Sequence, residues 1–265
     1  MHENGGVTDS LPPHPFLALS VGNSNLHFAL VHGADLRCFA SRALDPWPLT
    51  LDDLLGGLGS DSSRVSIDTA AVASVRPDLV DGLLESLKRS GVSAKQAGID
   101  FPVPLENRYA SPDEVGIDRL LGVLAASRLF PGEGVVVVDF GTALTFNVGS
   151  PDGAFLGGLI GIGASSAASA LPGRTPMLPR VELSSPEGFV ARDTHGAIRG
   201  GIFWEVAGGV ERVLEGLRNE LAFKFHVVAT GGDASALVPH VRGIDRVEPR
   251  LVLQGLSTAF HEAVE

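Results

Sequence analysis

The feature that most limits how this 265-residue chain can fold is a strand–turn–strand pattern that occurs twice. Phe16–Leu19 is a run of strand formers that breaks at Ser20-Val21-Gly22-Asn23-Ser24, and a second apolar run follows at Leu26–Val31. Val135–Val138, the break Asp139-Phe140-Gly141-Thr142-Ala143 and the run Leu144–Val148 repeat it, with Gly141 placed 119 residues after Gly22. Each unit reads as a β-hairpin whose tight turn sets small hydroxyl or amide side chains beside a glycine. Such turns present backbone N–H groups to anions, and two of them facing across a cleft could grip a phosphate chain from both sides. Two unrelated turns are the competing account in a chain with 33 glycines; the matched apolar flanks favour duplication. The expectation is an α/β fold of the phosphotransferase kind.

The remaining pattern agrees with that class. Thr69–Ser74 and Phe225–Ala229 read as further strands, and Leu49–Gly57, Asp78–Ser90, Ile117–Phe130, Ser165–Leu171, Arg199–Leu221 and Leu251–Val264 as helices. In Arg199–Leu221, residues Ile202, Phe203, Val206, Val210, Val213, Leu214, Leu217 and Leu221 recur at helical spacing and form one apolar face. Strands alternating with helices favour α/β layering. The break Phe130-Pro131-Gly132-Glu133-Gly134 predicts a boundary between a first domain, 15–131, and a second, 132–265, after a short flexible tail, 1–14. Ala154–Leu171 reads as a glycine-rich turn entering a small-residue helix. It is too short and too polar to span a bilayer, which takes roughly 20 mostly apolar residues.

Composition narrows the partners. A net charge of −11 with no Lys/Arg cluster argues against nucleic acid and against an anionic membrane. Cys38 is the only cysteine, which fits a reducing, cytoplasmic compartment. The eight histidines show no zinc-ligand spacing, and neither a Walker-type loop nor a Gly-x-Ser-x-Gly elbow is present. Phosphate binding therefore falls to the hairpins.

Six segments occur in the order seen in type III pantothenate kinases, which the chain resembles from about Phe16 onward. They are the first hairpin turn, Tyr109-Ala110-Ser111-Pro112-Asp113-Glu114-Val115-Gly116-Ile117-Asp118-Arg119, Val138-Asp139-Phe140-Gly141-Thr142-Ala143, Gly157-Gly158-Leu159-Ile160, Arg192-Asp193-Thr194 and Thr230-Gly231-Gly232. The resemblance implies a duplicated actin-like (ribonuclease H-like) fold, with mixed sheets flanked by helices and a cleft between the domains. It implies transfer of the ATP γ-phosphate to the primary hydroxyl of pantothenate, the first step toward coenzyme A. It also implies Mg²⁺, a monovalent cation (K⁺ or NH₄⁺), and a homodimer with the substrate pocket near its interface.

By the same resemblance Asp118 is the general base. Taken alone, it would be a carboxylate favoured at a helix N-terminus. Gly116, Ile117, Arg119, Tyr109 and Thr194 fall at substrate-binding positions, Thr194 acting from the partner subunit. Arg119 otherwise reads as a surface arginine, Tyr109 as a packing residue and Thr194 as a loop hydroxyl. Ser20, Gly22, Asn23, Ser24, His27, Gly141, Thr142, Gly231 and Gly232 fall on the ATP side, and Asp139 at the monovalent cation. Asp139 could equally be an Asx-turn residue.

The pattern departs from the family on the nucleotide side. Ser20 stands where the family has an aspartate that organises Mg²⁺, and where the second half of this chain has Asp139. His27 stands at a position often held by lysine, and Ile162 replaces a proline. Ser20 leaves three readings: a kinase, weakened or intact, whose Mg²⁺ shell is completed by phosphates and water; a degenerate homologue that binds ligand and regulates; or another phosphotransferase of this fold.

Overall fold

The computed structural model describes residues 15–45, 47–59 and 66–264, so the tail expected over 1–14 lies outside the described residues. In chain order the first elements are β1 (Phe16–Val21), β2 (Asn25–His32), β3 (Asp35–Ala43), α1 (Leu51–Gly57), β4 (Thr69–Ser74), α2 (Pro77–Arg89), β5 (Ser93–Gln96) and α3 (Ile117–Leu129). They are followed by β6 (Gly134–Phe140), β7 (Ala143–Gly149), β8 (Phe155–Ile162), α4 (Ala164–Arg174), α5 (Thr194–Glu220), β9 (Phe225–Thr230), α6 (Ala234–Leu237), β10 (Arg246–Val247) and α7 (Leu251–Val264). The chain forms two compact units. One comprises residues 1–104, 116–121 and 252–265; the other comprises 105–115 and 122–251.

The first unit holds a five-stranded sheet in the order β3-β2-β1-β4-β5, and the second a five-stranded sheet in the order β8-β7-β6-β9-β10. β1 and β2 are antiparallel, as are β2 and β3, while β1, β4 and β5 run parallel. The second sheet has the same senses strand for strand: β6, β7 and β8 alternate, and β6, β9 and β10 run parallel. The duplication read from two hairpins therefore extends to whole sheets.

Register refines the repeat. Ser20 pairs with His27 and Ala73, and Asp139 with Thr145 and Thr230, so Ser20 and Asp139 occupy equivalent places. The offset of 119 holds along β1 and β6 but becomes 118 along β2 and β7. The cause is one extra residue in the first turn: Val21 pairs with Leu26, whereas Phe140 pairs with Leu144.

Alternation directs the cores. Leu17, Leu19 and Val21 of β1 and Leu26, Phe28 and Leu30 of β2 are buried with Leu54 of α1 and Val80, Leu83 and Leu87 of α2. Each such side chain contributes roughly 1.5–3 kcal/mol of burial. α1 starts at a capping box between Thr50 and Asp53, and α2 at Pro77, whose missing N–H costs nothing there. In the second unit Val136, Val138 and Phe140 of β6 and Phe146 of β7 pack with Phe203, Val210 and Leu214 of α5. That is the apolar helix face expected, with Ile202, Val206, Val213, Leu217 and Leu221 at its margin.

Two expectations are corrected. The stretch expected as a glycine-rich turn is the strand β8, paired antiparallel with β7; the small-residue helix follows it as α4. Gly157 and Gly158 adopt φ of +124° and +152°, and a Cβ on Gly158 would overlap the Phe146 carbonyl, so these glycines admit a close strand rather than a turn. α5 also begins five residues before Arg199, because Asp193 caps it by accepting from Gly196 N at 2.8 Å. Thr194 is thus its first residue, not a loop hydroxyl.

Candidate active site

In the first unit, the ends of β1 and β4 and the start of α3 meet. Gly22 N donates to Asn25 O at 2.9 Å and closes the β1–β2 turn, leaving Asn23 and Ser24 exposed at its tip. Ser20 is 7% exposed in the strand just before it. His27, directly across from Ser20, stacks parallel to Phe39 with ring centroids 6.2 Å apart. Burial lowers the pKa of His27, so the imidazole is neutral near pH 7 and offers hydrogen bonds rather than charge. Beyond β4, Val75 N donates to Val21 O at 3.1 Å, and Val75 in turn lies beside Gly116. These contacts set Gly116, which opens the segment carrying Asp118 and Arg119, beside the C-terminal ends of β1 and β4, just past Ser20.

Asp118 is the second residue of α3, and its Oδ1 accepts from Arg119 N at 2.8 Å. Its carboxyl is raised above the usual aspartate value because burial penalises the charge, although the Arg119 N–H and guanidinium pull the other way. A desolvated carboxylate with a raised pKa is suited to accept a proton. Arg119 is buried.

In the second unit, Asp139 lies at the end of β6, half-buried, with Gly141 and Gly231 against its carboxylate. Gly231, at φ +97°, sits on the Phe140 backbone with no room for a Cβ, while Gly232 is exposed. Asp233 N donates to Phe140 O at 3.0 Å, which ties the β9–α6 junction to the hairpin. Thr142 is exposed at the tip of the turn, and its carbonyl accepts from Gly163 N at 3.1 Å and Ser166 Oγ at 2.7 Å. Asp233 accepts from Ser165 N and Oγ at 3.1 and 2.7 Å. Gly163, Ser165, Ser166 and Asp233 were not singled out in the sequence, although Asp233 before a short helix is a recognisable capping signal.

Asp139, Gly141, Thr142, Gly231 and Gly232 therefore form one cluster. Tyr109 is placed elsewhere in that unit: half-buried, its ring lies over Gly157 of β8, with Phe155 6.2 Å away centroid to centroid. Thr194 lines an open depression with Leu178, Arg192 and Ile198.

Two sheets of identical order, each with a polar glycine turn after its central strand, define a duplicated, actin-like α/β fold. The activator of the 2-hydroxyisocaproyl-CoA dehydratase from Clostridium difficile, solved with bound ADPNP, shares this fold at a TM-score of 0.53 over 94% of each chain, with 12% identity. The chain belongs to the type III pantothenate kinase family, whose model matches residues 16–216. It is 36% identical to the type III pantothenate kinase of Moorella thermoacetica, covering 92% of this chain and 98% of that one. It is 38% identical to that of Nitratidesulfovibrio vulgaris strain DP4, covering 93% and 97%.

Such kinases use ATP with Mg²⁺. Among the described residues no group of three or more His, Cys, Asp or Glu side chains is gathered to hold a metal ion. A hydroxyl at Ser20 is also a poor partner for a hard dication. Mg²⁺ is usually held by one or two carboxylates together with substrate phosphates and water, so the ATP phosphates would supply much of its shell here.

Proposed function

We propose that this protein is an active type III pantothenate kinase that transfers the γ-phosphate of ATP to the primary hydroxyl of pantothenate. The observation that carries the reading is the desolvated carboxyl of Asp118, within an intact Gly116-Ile117-Asp118-Arg119 segment, beside the strand that bears Ser20. Asp118 accepts the hydroxyl proton as the pantothenate oxygen bonds to the γ-phosphorus; the bond from that phosphorus to the β–γ bridging oxygen breaks and ADP leaves with the electron pair. Phosphoryl transfer relies mainly on positioning and charge stabilisation, so one base and well-placed donors suffice. Ser20, Gly22, Asn23, Ser24 and His27 and, from the second unit, Gly141, Thr142, Gly231 and Gly232 are the residues we assign to ATP. Gly116, Ile117, Arg119 and Tyr109 are assigned to pantothenate, and Asp139 to a monovalent cation, K⁺ or NH₄⁺.

A homodimer completes the reading, with Thr194 reaching the partner's substrate. Exposed Leu159, Ile160 and Ile162 on the edge strand β8, together with Met177, Phe189 and Val190, support it. We place the protein in the cytoplasm, where ATP is available and a single cysteine stays reduced; among the described residues no helix is long and apolar enough to cross a membrane. The test is pantothenate-dependent ADP release, expected in the parent protein and abolished in Asp118→Asn; full-rate turnover in Asp118→Asn would refute the assignment of the base. Ser20 favours a second reading, a degenerate homologue that binds ligand without turnover. An inactive parent that Ser20→Asp restores would establish it.

A further inference from the structure

We propose that Arg76 is a positioning residue for the phosphate-facing turn of the first hairpin, an inference that rests on the reading of that turn as an ATP site. Arg76 follows β4 and caps α2. Its Nε and Nη2 donate to the two carboxylate oxygens of Asp78 at 2.8 and 2.6 Å, and its Nη1 reaches back to Asn23 O at 3.1 Å. The Ser74 hydroxyl braces the same junction by accepting from Arg76 N at 3.0 Å.

Three carbonyls of the turn are held on the protein side. Asn23 O is taken by Arg76, Ser24 O by Leu44 N at 3.3 Å and Asn25 O by Gly22 N at 2.9 Å. In a planar trans peptide the C=O and the following N–H point in opposite directions, so anchoring the Asn23 carbonyl aims the Ser24 N–H away from Arg76. The second unit holds its turn by neutral donors alone. By strand pairing Thr142 is the repeat equivalent of Ser24, and its carbonyl accepts from Gly163 N as Ser24 O accepts from Leu44 N, with Ser166 Oγ as a further donor. The first unit, whose turn has one more residue, holds the Asn23 carbonyl with a cation, at the hairpin whose central strand carries Ser20 instead of a carboxylate. Asp78 balances that charge, so Arg76 acts through the shape of the turn rather than through net charge.

The experiment measures kcat and both KM values, and Mg²⁺-ATP affinity by calorimetry, for Arg76→Val, Arg76→Lys, Asp78→Asn and, as a control on the same helix, Arg89→Leu. Loss of a charged hydrogen bond predicts that Arg76→Val raises the KM and Kd for ATP about tenfold, with the pantothenate KM held within about twofold. Arg76→Lys restores part of the affinity, Asp78→Asn weakens ATP in the same direction by less, and Arg89→Leu changes neither constant. An unchanged ATP KM in Arg76→Val overturns the proposal. So does tighter ATP binding in Asp78→Asn, which would make Arg76 a direct phosphate ligand masked by its partner. A parent that neither binds ATP nor phosphorylates pantothenate overturns the functional reading and this proposal together; a parent that does both, with Arg76→Val unaltered, overturns this proposal alone.

Discussion

Replacing Gly116 by alanine should separate catalysis from stability. An added Cβ would lie 2.7 Å from Asp118 Oδ1 and 3.6 Å from Val75 Cγ1. Ordinary contact begins near 3.4 Å, so the carboxylate must move by about 0.7 Å, while Val75 is undisturbed. That shift also strains the 2.8 Å bond from Arg119 N, the hydrogen bond that fixes the carboxylate. Displacing a reacting group by ~1 Å can cost about a hundredfold, so a loss in kcat of roughly 10- to 100-fold is expected, or about 1.4–2.7 kcal/mol of barrier. Stability should move little. Gly116 is not among the glycines with positive φ, and reduced freedom of the unfolded chain returns about 0.4–1 kcal/mol. The assay is steady-state ADP release with each substrate varied, paired with thermal unfolding. A kcat within twofold of the parent, in a protein that melts normally, would show that the position of the Asp118 carboxylate does not limit the reaction.

Asp118 also sets the pH behaviour. Its pKa lies above the usual 3.8, so the base is protonated and kcat/KM falls as pH drops through that raised value; an acid limb no higher than that of an ordinary aspartate would contradict this. Because the folded pKa exceeds the unfolded one, the ionised carboxylate costs the native state stability above both values. Asp118→Asn should therefore melt higher than the parent at pH 7, with the difference vanishing below the unfolded pKa. Gly158→Ala places a methyl on the Phe146 carbonyl at φ +152° and should destabilise the second unit by more than about 3 kcal/mol in urea unfolding. Ile160→Asp, on the exposed edge strand, should shift the protein toward monomer in sedimentation without lowering its melting temperature.

Strands with continuous or alternating apolar runs were legible. Thr69–Ser74 and the helix Leu251–Val264 have the bounds expected, and the equivalence of Ser20 and Asp139 was visible from the hairpins alone. β3 was not, because only Leu36, Cys38 and Ala40 at alternate positions are partly buried and the remaining residues of this edge strand are exposed, most of them polar. β8 escaped for a related reason: its last five residues are exposed and its glycines mimic a turn. The extra residue in the first hairpin turn cannot be seen without pairing, since apolar residues remain apolar after a shift of one in so hydrophobic a strand. Motif order placed Asp118, but Arg76 lies in no motif and meets Asn23 across 53 residues of chain. Contacts of that kind come from β4 lying beside β1, which no local pattern announces.

The central claim is that this chain phosphorylates pantothenate although Ser20 has no carboxylate. The most direct measurement is mass spectrometry with phosphorus NMR on pantothenate incubated with the full-length protein, Mg²⁺-ATP and K⁺. The account predicts one added phosphate on the primary hydroxyl, formed by the parent and not by Asp118→Asn. Unmodified pantothenate from the parent, with product appearing only in Ser20→Asp, would contradict it.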